Sequence, residues 1–267
     1  MRAMADVIGT LLRHRAIVAE MTWREVRNRV RGSIGGLLWS LLQPLLMLVI
    51  FAFVFGTILK VKWASAETPT EFALALFAGL LIFNLFAECL QRAPGLVVSR
   101  PNLVKKIVFP VEIIAWVHVG QALFAFAIGA IVLLIGEFFA RGFIPWTVFL
   151  LPIVVLPVVF AGLAVSWLLG AITVFVRDIE QVVAPLSMAL LFLTPVFFDL
   201  SLVPERYRGW FLANPLTAAV EQGRAVLLDG VVPDFATLAV GTVVAYIFAA
   251  LSLAFFRRAR GEFADVL

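Results

Sequence analysis

The chain has 267 residues, 63% of them hydrophobic and 14% charged, with a formal net charge of +4 and a mean hydropathy of +1.06. A soluble domain carries roughly a quarter charged residues, so this composition excludes an ordinary soluble enzyme and places the chain in a membrane. Its one cysteine, Cys89, excludes an intrachain disulfide and leaves a cysteine metal cluster unsupported.

The chain opens with Arg2, Arg13, Arg15, Arg24, Arg27, Arg29 and Arg31, interspersed with Asp6, Glu20 and Glu25. This is unlike a cleavable signal, where a short basic segment runs promptly into an apolar core. Ile8, Leu12, Ala16, Ala19, Trp23, Val26 and Val30 recur every three or four residues. The spacing predicts an amphipathic helix with a basic face, suited to the cytoplasmic leaflet where anionic headgroups collect; the alternative is that it packs on the rest of the protein. Residues 1–36 therefore read as a cytoplasmic interfacial region and residues 37–267 as a single transmembrane domain.

Gly32 to Leu59 contains no Asp, Glu, Lys or Arg. Roughly 20 apolar residues at about 1.5 Å each cross the roughly 30 Å hydrocarbon core, so this stretch is long enough to span. Further spans are expected, giving 37–59, 72–91, 112–137, 148–176, 180–199 and 236–256, none with the two-residue alternation of a barrel. Gly142 to Val176 is uncharged for 35 residues, too short for two spans and a turn. Pro145, Pro152 and Pro157 give it an irregular entry.

Between the fifth and sixth spans, Pro204 and Glu205 open a short helix through Tyr207, Trp210 and Phe211. Asn214 then caps a second, with Pro215 at its first position and Gly230 as its stop. Two half-apolar helices here predict a hairpin dipping back into the membrane. The expected fold is an all-α membrane protein. It has six transmembrane helices, an N-terminal amphipathic interfacial helix and short re-entrant external helices at about 200–235. With the N-terminus inside, the cytoplasmic side carries fifteen basic residues and the external side six, which puts both termini in the cytoplasm.

No Gly-x-x-x-x-Gly-Lys-Ser/Thr phosphate loop occurs, so no ATP site of that kind is visible. His14 and His118 lie far apart, and Glu88, Glu112, Glu137 and Asp199 are scattered near span ends, so no catalytic or metal set can be assembled. His118, inside the third span and one turn from Gln121, fits hydrogen bonding between helices better than a proton relay. The connection from Arg92 to Pro110, with Arg100, Lys105 and Lys106, is compact and basic. The turn at Arg177 and Asp178 places a cation beside an anion on the same face. Together they suit docking to a soluble partner.

The run from Arg29 through Gly32-Ser33-Ile34-Gly35-Gly36 to Trp39, followed by Gln43-Pro44, resembles the opening of the first span in membrane subunits of bacterial ABC exporters for polysaccharides and teichoic acids. Phe175-Val176-Arg177-Asp178-Ile179 is similar to that family's Phe/Arg-Asp-Ile turn, with one residue inserted. Thr194-Pro195-Val196-Phe197 and Asn214-Pro215 stand in the expected order. The resemblance covers essentially the whole chain.

It implies a homodimeric permease in the bacterial cytoplasmic (inner) membrane, served by two copies of a nucleotide-binding ATPase and exporting O-antigen, capsule or teichoic acid as lipid-linked glycan. This chain would bind no cofactor, ATP and Mg belonging to the partner ATPase; membrane lipids, but no nucleic acid, would be further partners. Arg24, Arg27, Arg29 and Arg31 would meet the lipid phosphate, since guanidinium groups bind phosphate in bidentate fashion. Arg100, Lys105, Lys106, Arg177 and Asp178 would couple to the ATPase. Phe51 and Phe55 on the first span, with Phe197 and Phe198 after Pro195, are candidates for the sugar path, because aromatic faces offer broad contact with few fixed hydrogen bonds; packing is their alternative role. A multidrug or lipid ABC exporter remains the main rival, ahead of a polytopic membrane enzyme or a proton-coupled carrier.

Overall fold

The computed structural model describes residues 2–30, 37–58, 68–101 and 109–266, and no strand occurs among them. Two N-terminal helices, α1 (Arg2–Arg13) and α2 (Arg15–Val30), meet at His14. α3 (Leu37–Phe51) continues as a π-helical segment to Ile58. α4 (Pro69–Arg92), the short α5 (Gly95–Val98) and α6 (Ile113–Arg141) follow. A 3₁₀ turn at Trp146–Leu150 leads into α7 (Leu151–Phe175), and α8 (Ile179–Phe192) comes next. α9 (Glu205–Leu212) and α10 (Pro215–Arg224), the latter extended by a π segment to Asp229, precede α11 (Phe235–Ala259) and α12 (Phe263–Val266).

Local chemistry explains several boundaries. At the start of α4 the Thr68 hydroxyl accepts from the Glu71 amide at 3.2 Å while the Glu71 carboxylate accepts from the Thr68 amide at 3.4 Å, with Pro69 at the first helical position. α6 ends at Gly142, whose φ of +77° is the left-handed stop that glycine takes without strain. Of the irregular entry expected for the fourth span, the 3₁₀ turn after Pro145 is present, whereas Pro152 stands in the first turn of α7 and Pro157 inside that helix. α11 opens on Asp234, whose carboxylate accepts from the Ala236 amide at 2.9 Å.

Four stretches are long and apolar enough to cross a membrane: Thr70–Arg92, Ile113–Arg141, Trp146–Phe175 and Phe235–Glu262. They correspond to the second, third, fourth and sixth expected spans. The other two are shorter apolar helices. The fifth, expected over 180–199, ends at Phe192, and turns carry the chain on to Asp199. Pro195 explains the early stop, since residues before a proline leave the helical region. The Thr194 hydroxyl donates to the Leu190 carbonyl at 2.7 Å, satisfying a helix-end acceptor.

The N-terminal region differs from the single helix expected: it is a pair. Its packed face is Val7, Thr10, Val18, Met21 and Val26, with α1 against α11 and α2 against α6. Of the expected stripe Val26 is buried, whereas Ile8, Leu12 and Trp23 are exposed. The pair therefore rests on the bundle by one face and presents apolar side chains on another.

α4 is the centre of the bundle, packing against α6, α7 and α10, while α7 and α11 pair along their lengths. Small residues allow the close approaches: a Cβ at Gly162 of α7 would stand 2.9 Å from the Cys89 sulfur, and Gly170 faces the Ala93 carbonyl and Leu96. Both chain ends lie at one end of this bundle, where Asp6 meets Arg257 at 2.6 Å. At the other end α10 is sunk between α4 and α7, with Leu216, Ala219, Val220 and Arg224 buried, while α9 stays outside with Trp210 79% exposed.

Candidate functional site: a cavity with a polar ladder and two charged junctions

α3, α4 and α6 line a partly open cavity of about 620 Å³, reached also by Val26 of α2. Met47 and Phe51 line it from α3, Phe77 and Leu81 from α4, and Phe126 and Gly129 from α6. One stripe of α4 is different. Asn84, Glu88 and Gln91 stand at positions i, i+4 and i+7, on one face of a helix. They climb about 10 Å along the axis. Arg92 closes the ladder at its terminal end, pairing with Glu88 at 3.2 Å and donating to the Gln121 side-chain oxygen. The Gln91 amide donates to the Ser187 hydroxyl at 3.3 Å, linking α4 to α8.

Of the residues expected to form the sugar path, Phe51 is in the wall of this cavity, and the Phe55 side chain lies outside the described residues. Phe197 and Phe198 are elsewhere, at the opposite end of the bundle. Phe197 packs on Phe192 with centroids 5.7 Å apart, and Phe198 is edge-on to Phe211 of α9 at 5.5 Å.

Arg24 and Arg27 are exposed on α2, and the Arg27 guanidinium lies 5.3 Å from the centre of the exposed Trp23 ring. The Arg29 side chain, Arg31, Lys105 and Lys106 lie outside the described residues. Arg100 is half-buried: it pairs with Glu25 at 3.1 Å and stands 3.2 Å from the His118 ring nitrogen. It ties α2 to α6, and His118 takes the inter-helix role its position suggested. Arg177 and Asp178 are exposed at the turn between α7 and α8.

Beneath that turn is a junction of the chain ends. Glu112 receives Arg260 at 3.0 Å and Arg257 at 3.5 Å, and its carbonyl accepts from the Trp167 indole at 2.9 Å. Arg257 also holds Asp6, keeping that carboxyl below the usual carboxylate range. Phe263, fully buried, packs between Phe256 at 5.4 Å and Phe175 at 6.1 Å, which joins the end of the chain to the helix that leads into Arg177 and Asp178.

At the opposite end Arg224 is buried with its guanidinium spread over three carbonyls: Ala75 at 2.9 Å, Pro195 at 2.7 Å, and Val196. Gly79 makes the room, because a Cβ there would overlap the guanidinium. Arg141 joins Glu137 at 3.2 Å, Glu71 at 3.6 Å and the Leu228 carbonyl. Together these groups fasten α10 and its extension to α4 and α6.

Reading span ends as solvated interface passes over Glu88 and its neighbours, although polar residues at i, i+4 and i+7 in an apolar helix are a legible signal. Arg224 and Glu112 carry no such signal, because their partners are distant in sequence.

The family model described as ABC-2 type transporter matches residues 18–228. The chain is similar to the O-antigen export system permease protein RfbA of Myxococcus xanthus, 26% identical over 264 residues and covering 98% of this chain and 99% of that protein. It is also similar to two proteins of the same name from Klebsiella pneumoniae. They are 24% and 23% identical, each covering 94% of this chain and 95% of the relative.

Proposed function

The chain belongs to the ABC-2 type transporter family, and we propose that it is the permease subunit of an exporter carrying lipid-linked polysaccharide of the O-antigen kind across the bacterial cytoplasmic membrane. The observation that carries this reading is the end-to-end similarity to three O-antigen export permeases. The multi-span apolar fold suits a transport subunit, and a sequence without a phosphate loop leaves ATP hydrolysis, with its ATP and Mg, to a partner chain. Two copies of the permease pair as a homodimer, each served by one ATPase subunit.

In this reading the end of the bundle bearing both termini faces the cytoplasm. α3 with its extension covers 22 residues, about 33 Å of helix and enough for a crossing. α8, about 21 Å long, reaches the external side through the turns before α9, making six crossings in all. α10 and α9 form the external re-entrant pair. The exposed arginines of α2 and those that follow, Arg29 and Arg31, meet lipid phosphate at headgroup depth. Arg177 and Asp178 receive the motion of the ATPase.

Copurification with the ATPase encoded beside it, followed by ATP hydrolysis in lipid nanodiscs, tests the proposal. Hydrolysis is expected only when both chains are present, and lipid-linked glycan is expected to stimulate it. Stimulation by unrelated amphipathic drugs but not by lipid-linked glycan would replace this reading with that of a multidrug exporter.

A further inference from the structure

Asn84 lies about 12 Å in from Arg92 along α4, within an apolar span, and it is exposed to the cavity. No hydrogen bond within the described residues occupies its side-chain amide. Polar side chains at membrane depth face a protein interior or a water-filled space, since hydrocarbon leaves their hydrogen bonds unmet. The cavity beside Asn84 therefore suits a polar occupant. At about 620 Å³ it also falls in the size range of ligand pockets, roughly 300–1,000 Å³.

The wall chemistry narrows the class of that occupant. Glu88 and Arg92 neutralise each other at 3.2 Å, and Arg92 is further engaged by Gln121. The ladder thus offers no uncommitted cation, and a phosphate placed on it would meet the Glu88 carboxylate. What remains is a set of amide and carboxylate groups in a cavity that the aromatic side chains of Phe51 and Phe77 also line. Hydroxyl groups can both donate to and accept from such a set, and the apolar face of a pyranose ring matches the aromatic wall.

We propose that the α3–α4–α6 cavity is a binding site for an uncharged sugar unit, held by Asn84, Glu88 and Gln91. This deepens, and rests on, the reading of the chain as a glycan exporter. It separates two duties: the lipid phosphate stays with the arginines at the membrane surface, while the sugar next to it enters the cavity.

The test uses the permease with its ATPase partner in nanodiscs and the variant Asn84→Cys. Cys89, 2% exposed, serves as the unreactive internal control. A hydrophilic thiol reagent is expected to label Asn84→Cys. A short lipid-linked oligosaccharide is expected to slow the labelling, and the same polyprenyl diphosphate without sugar to leave it unchanged. Asn84→Leu is expected to raise the half-saturating concentration of the oligosaccharide for ATPase stimulation about fivefold, the worth of one hydrogen bond. No labelling, labelling without protection, or equal protection by the sugarless lipid would each overturn the site, the last making it a lipid-tail pocket. If the oligosaccharide stimulates the wild-type complex while Asn84→Cys stays unprotected, the sugar site alone fails. If it does not stimulate the wild-type complex, the exporter reading fails first.

Discussion

Arg224 shows how much one side chain carries at the end of the bundle opposite the chain termini. A buried guanidinium is tolerated only where its donors are met, and here they are met by backbone carbonyls of α4 and of the turn after α8. Replacement by Leu would leave those acceptors without their donor, at roughly 1–3 kcal/mol for a buried unsatisfied group and less where membrane partners substitute. Arg224→Leu is therefore expected to lower the thermal midpoint of the purified protein by several degrees. Gly79→Ala should act in the same direction, because its methyl group displaces the guanidinium. The double variant should cost less than the sum of the two, since both break one interaction. Independent, additive effects would show that Gly79 does not seat Arg224. None of this is legible in the sequence, where Arg224 reads as one more basic residue of an external connection; its partners lie 28 to 149 residues away.

At the scale of elements, the local signals were the readable ones. Asn214-Pro215 does open a helix, with the Asn214 side chain accepting from the Leu216 amide at 3.0 Å and donating to the Thr194 hydroxyl at 2.9 Å. Asn214→Ala is expected to cost about 1 kcal/mol of stability, as a lost cap does, measured by chemical or thermal denaturation in detergent. Long-range packing was not readable. The N-terminal arginines and apolar residues fit one amphipathic helix, yet docking on α6 and α11 selects Val7, Val18 and Met21 as the buried face and divides the helix at His14.

The Asp6–Arg257 pair that docks α1 is pH-dependent with a definite sign. The folded carboxyl titrates below its ordinary value. Its contribution is thus complete above the unfolded value of about 3.9 and lost as the pH falls through the folded one. Spin labels at the exposed Leu12 and Arg258 should report one distance at neutral pH and a broadened one below about pH 4. Asp6→Asn should broaden it at neutral pH as well. An unchanged distance in that variant would mean that apolar packing alone docks the helix.

For the whole molecule, the arrangement of three features at the end of the bundle that bears both termini matters more than any one of them. The Arg177–Asp178 turn, the junction at Glu112 and the docked α1–α2 pair share one end of the bundle, and Phe263 joins the first two through Phe175. Force applied at the turn would therefore reach α7, α11 and the chain ends together. Arg177→Glu or Asp178→Lys is expected to reduce ATP-driven export about fivefold or more, at the lower end of ordinary coupling energies, while membrane insertion is unaffected. Normal export in both would reduce the turn to an anchor. Six apolar runs were legible in the sequence; among the described residues four appear as helices long enough to cross a membrane and two as shorter apolar helices. The shorter helices α3 and α8 were legible as apolar runs too, but the early stop of α8 before Pro195 comes from proline and turn chemistry, which a count of apolar residues does not report.

The most direct measurement is translocation itself: purified permease and ATPase partner in liposomes, with lipid-linked O-antigen added to the leaflet bearing the ATPase. Appearance of glycan on the opposite leaflet is expected when ATP and both chains are present, and not when either ATP or the partner is omitted. Translocation by this chain alone, or driven by a proton gradient without ATP, would contradict the assignment as an ABC exporter permease.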